Sequence, residues 1–87
     1  MCTYATQIRT VEGSGKGTQG WFPLQTASVY FDHPVHAHAE HTLNIDFLAP
    51  DRGPGARVAL ELTAASAREL VDAITAALAS APAELTS

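Results

Sequence analysis

HTLNIDFL, residues 41–48, sets Leu43, Ile45 and Phe47 against Thr42, Asn44 and Asp46 in strict alternation. A period of two is the signature of a strand with one side on a core and the other in water. Working outward, ASVYFDH (27–33) and ARVALEL (56–62) read as strands on either side of it, the latter with Val58, Leu60 and Leu62 opposite Arg57 and Glu61. PVHAHAE (34–40) joins the first pair, and the turn cluster APDRGPG (49–55) the second. YATQIRTV (4–11) adds a fourth, β-branched strand, and GSGKGTQG (13–20), half glycine, reads as a loop. From 64 to about 80 the period changes: Ala67, Leu70, Val71, Ile74, Ala77 and Leu78 recur at three- and four-residue steps, behind Thr63 as N-cap and ahead of Pro82. The expected fold is α+β, a four-stranded, mostly antiparallel ββββα sheet with the C-terminal helix on one face.

Composition bounds what such a fold can do. The chain has 87 residues, a single domain over 1–87, and sixteen of its forty apolar residues are alanine, so the core is thin. A domain of this kind gains buried surface by pairing, and a homodimer is expected. The net charge of −4, with Arg9, Lys16, Arg52, Arg57 and Arg68 scattered, argues against nucleic-acid binding. No apolar run is long enough for a bilayer and no secretory signal is evident, so a cytoplasmic, membrane-free protein is expected. One cysteine fits a reducing compartment.

All four histidines, His33, His36, His38 and His41, fall within nine residues. Alternation puts Val29, Phe31 and His33 on one side of their strand, and His41, Leu43, Ile45 and Phe47 on one side of the next. If the apolar side is the buried one, His33 and His41 point inward from facing strands at one end of the core. His36 and His38 project from the loop between them. Converging neutral imidazoles suit a divalent transition metal, zinc or else iron, copper or nickel, and three with an open position can polarise a water or carbonyl. Glu40 is the candidate fourth ligand or general base, and Asp32 and Asp46 are candidate hydrogen-bond acceptors behind the ligands, although strict alternation aims them at the opposite face. The plainer alternative is an empty, pH-sensitive histidine loop.

Cys2 would become N-terminal on removal of Met1, making it a candidate nucleophile or soft ligand, or simply a small terminal residue. The glycine loop departs from a phosphate-binding P-loop because Gly17, not Ser or Thr, follows Lys16. His36-Ala-His38-Ala-Glu40-His41 is similar to the HxHxDH string of metallo-β-lactamases. That fold is more than twice as long and takes further ligands downstream, where this chain has no histidine. The cupin pattern fails on the spacing from His38 to Glu40.

MCTYAT (1–6), GSGKG (13–17) with Gly20-Trp21, FDHPVHA (31–37), EHTLNIDF (40–47) and ELTAASARELVDAI (61–74) together resemble a family of short, uncharacterised actinobacterial proteins, a domain of unknown function. The resemblance covers nearly the whole chain and implies bacterial, cytoplasmic origin but no activity. Its loop pattern, HPVHAxAEH, varies where this chain has His38, which ranks His33, His36 and His41 above His38 as ligands, with Cys2 and Glu40 as additions. The expected function is a small metal-binding protein, a metalloenzyme acting on a small molecule at an open histidine site. The alternative is a non-catalytic dimeric module whose metal, if any, only staples the hairpin.

Overall fold

A computed structural model describes residues 5–33 and 40–87. Strands β1 (Gln7–Gly17), β2 (Gly20–Asp32), β3 (Thr42–Leu48) and β4 (Arg57–Leu62) precede helix α1 (Ala64–Ser80), with single 3-10 turns at Pro50–Arg52 and Ala83–Leu85. The sheet is an antiparallel meander in the order β1-β2-β3-β4, so the expected ββββα arrangement is the observed one. Among the described residues, no helix is long and apolar enough to cross a membrane.

The first two strands are longer than composition suggests. The glycine stretch at 13–17 is sheet, pairing from Gly13 with Leu24 to Gly17 with Gly20, and only Thr18 and Gln19 form the turn. Gly20, at φ +108°, takes the positive dihedral that closes this hairpin, and a side chain there would be strained. At Gly15 the reason for glycine is space. An added Cβ would lie 2.9 Å from Leu24 Cδ2 and 3.3 Å from Val58 Cγ2, so the missing side chain lets the edge strands β1 and β4 draw together as the sheet coils. Between Thr10 and Gly13 the register shifts through a bulge.

Cross-strand partners define the two faces. Ala27, Phe47 and Val58 form one row, Val29, Ile45 and Leu60 the next, and Phe31, Leu43 and Leu62 the third. The helix starts over this apolar face. Thr63 Oγ1 accepts from Ser66 N at 3.1 Å, as an N-cap should, and Ala64, Ala67 and Arg68 border a groove of about 370 Å³ with Phe31 and Leu43. Beyond that first turn and a half the helix is poorly covered, and none of its residues is buried.

Within one chain the apolar face is buried at Ala27 and half-buried along most of its length, under the start of the helix. The deepest positions of β3 are polar ones on the other face: Thr42 at 0% exposure and Asn44 at 6%. Their side chains are short and bonded to each other, Thr42 Oγ1 donating to Asn44 Oδ1 at 2.6 Å. By register Asn44 is shouldered by the larger Tyr30 and Glu61 of the neighbouring strands. A buried polar pair is tolerated only when so matched. Thr42→Val keeps the volume and removes the donor, and is expected to cost about 1–3 kcal/mol in urea unfolding. A loss below about 0.5 kcal/mol would show that the bond contributes little.

Next to this pair, Asp46 accepts from Arg57 Nε at 3.0 Å and from the second guanidinium nitrogen at 2.7 Å, and Tyr30 OH donates to its other oxygen at 3.2 Å. Burial, then the Asp46 carboxylate, push the Tyr30 phenol above its ordinary pKa.

Candidate metal site at the hairpin mouth

β2 ends at Asp32 and β3 begins at Thr42, its partner, so the next step outward brings His33 opposite His41. The rings meet there, with centroids 4.5 Å apart and planes 30° from parallel. His41 also stacks on Phe31, at 5.8 Å and 11°, which continues the apolar face from Phe31 to the two imidazoles. His41 is half-buried against this stack, and His33 is exposed at the rim.

Two of the contacts of His33 are with its neighbours at the hairpin mouth. Its backbone N–H donates to Asp32 Oδ1 at 2.7 Å, and its ring Nδ1 lies 3.1 Å from the main-chain oxygen of Glu40. A carbonyl only accepts, so in a neutral imidazole a hydrogen bond here places the proton on Nδ1 and the lone pair on Nε2. That is the tautomer a ligating histidine takes when its other nitrogen is tied to a backbone acceptor.

The expected residues fall out as follows. His33, His41 and Glu40 are brought together, Glu40 through its carbonyl, with its side chain in an exposed residue. Asp32 braces the backbone of His33, whereas Asp46 is engaged with Tyr30 and Arg57 on the opposite face and stands behind neither imidazole. His36, His38 and Cys2 lie outside the described residues. Among the described residues no group of three or more His, Cys, Asp or Glu is arranged to hold a metal. Sequence reasoning did not find the aromatic contact of Phe31 with His41. The signal was present, because Phe31 is two residues before His33 and on the same side of β2.

At the far end of the sheet, Trp21 is exposed and Phe22 buried. They border a groove with Gly17, Gln19, Arg52 and Pro54, well away from the histidines in register.

Comparison with curated proteins and with solved structures gives no match to this chain. A family model does match along its whole length, residues 1–87, and the chain thus belongs to the family of unknown function DUF6295.

Proposed function

We propose that this chain is a small metal-binding protein that takes up one divalent transition-metal ion at the mouth of the β2–β3 hairpin. The observation that carries the reading is the pairing of His33 with His41 at 4.5 Å, with Nδ1 of His33 fixed on the Glu40 carbonyl. Strand register supplies two imidazoles, and the backbone contact of His33 favours the tautomer a ligating histidine takes. His36, from that loop, is the third ligand in this reading, and His38 and Cys2 are secondary.

Uptake has to open the imidazole stack. Two nitrogens held at about 2.0–2.1 Å from one ion belong to diverging rings, not parallel ones. An open fourth position would lower the pKa of a bound water, with the Glu40 carboxylate near enough in sequence to take its proton. Three histidines and an open position are the pattern of catalytic rather than structural zinc, which usually has four protein ligands and several cysteines. This favours a metalloenzyme over a stapled hairpin.

Calorimetric titration of tag-free protein with Zn²⁺ tests the reading. The expected result is one ion per chain with a dissociation constant below about 1 μM, a free energy near −8 kcal/mol. Absence of stoichiometric binding would overturn it. Thermal unfolding with and without chelator then separates the two roles, since a metal that staples the fold shifts the midpoint strongly and one bound at an open site shifts it little.

A further inference from the structure

We infer that the apolar stripe of α1, together with the apolar face of the sheet beside it, is the interface with a second copy of this chain. The inference is independent of the metal reading. The chain exposes 6485 Å², whereas a folded monomer of this mass exposes about 4,900 Å². The excess, roughly 1,500 Å², exceeds the approximately 800 Å² that each partner of a standard stable interface buries. Its radius of gyration, 14.4 Å, is likewise above the roughly 12 Å of a compact chain of this length.

Part of the exposed apolar surface lies where helical periodicity predicts a core. Val71 is 62% exposed, Ile74 52% and Leu78 57%, and they continue the line that Ala67 begins against the sheet. Leu60, on the same apolar sheet face, is also exposed. Three large side chains in a helical row are a stripe meant for another surface. Ile8 and Trp21 are not part of it, Ile8 pairing with Ser28 on the polar face.

Chemistry selects the occupant. A helix that lies on a membrane surface carries lysines and arginines along its polar face. α1 carries Arg68, Glu69 and Asp72, and the chain is at −4, so an anionic lipid surface is disfavoured. A second copy offers the same stripe, and a twofold axis crossing it near Ile74 would pair the helices antiparallel, each covering the other's Val71, Ile74 and Leu78. A self-complementary patch is what twofold pairing requires.

Sedimentation equilibrium of the full chain, with chelator present, is the test. A dimer of twice 9.2 kDa at tens of micromolar is expected. A monomer under those conditions, or a dimer that chelator dissolves, would overturn the inference, the latter because the metal then joins the copies. Ile74→Glu with Leu78→Glu should give a monomer, and Ala76→Glu, on the opposite side of the helix, should remain a dimer. Val71→Ala covers the case in which the double variant does not fold: it removes two methyl groups already exposed in the single chain and is expected to weaken association at least tenfold. Unchanged association in Val71→Ala would overturn the assignment of this face.

Discussion

His41→Ala and His33→Ala are each expected to weaken Zn²⁺ binding by at least about a hundredfold, since loss of even a group behind a ligand typically costs 10–100-fold. The two substitutions differ in what else they remove. His41 is half-buried against Phe31, so its loss also exposes the end of the apolar face and lowers stability slightly. His33 is at the rim, held by Asp32 and the Glu40 carbonyl, so its loss affects binding more than folding. Glu40→Gln should leave affinity within about threefold, because the main-chain oxygen, not the carboxylate, orients His33. His36→Ala is expected to match the strand histidines and His38→Ala to fall short of them. Titration of the five variants with Zn²⁺ checks the pattern. Retention of wild-type affinity in His33→Ala and His41→Ala would remove the hairpin mouth from the site.

Gly15→Val is expected to lower stability by about 1–3 kcal/mol, the range for forcing atoms into filled space. Its Cβ alone would stand 2.9 Å from Leu24 Cδ2 and 3.3 Å from Val58 Cγ2, so these side-chain ends have to shift, and the two stiff branches of valine enlarge the displacement. For a domain of this size that is a fall in melting temperature of roughly 5–20 °C. Gly13→Val is the internal control. It lies on the same strand, at an ordinary dihedral, with nothing within 4 Å of an added Cβ, so its effect should stay within about 0.5 kcal/mol. Thermal unfolding of the two variants side by side decides the matter. Equal midpoints would mean that the sheet does not need β1 and β4 so close.

The same glycine explains why one stretch of the chain was opaque. Residues 42–48 and 57–62 announce themselves because side chains alternate, and the helix because leucines and alanines recur at helical steps. At Gly15 and Gly17 the pressure is for absent side chains, which a pattern of side chains cannot display, so a glycine-rich strand carries the composition of a loop. Alternation also identifies the partner of His33, but it does not show that two polar positions of β3 are as deep as any on the apolar face. Thr42 and Asn44 are hidden on the polar face because they bond each other and are flanked by Tyr30 and Glu61, a matter of neighbours on other strands. The helix stripe was legible as apolar, and its lack of cover within one chain was not. Periodicity reports that a face is to be buried, but not against what.

The meander order bears on how the molecule reaches this state. Every strand pairs with its neighbour in sequence, through connections at 18–19, 33–41 and 49–56, so the sheet assembles by closing short loops one after another. Such local wiring makes for rapid folding, and an expected rate toward the fast end for a β-rich domain. The two-residue turn at 18–19 zips readily, whereas 33–41, the segment that carries the histidines, is the longest of the three connections. An ion gripped by His33 and His41 would tie that closure at its two ends, and so arrive as a late clasp on a sheet already formed.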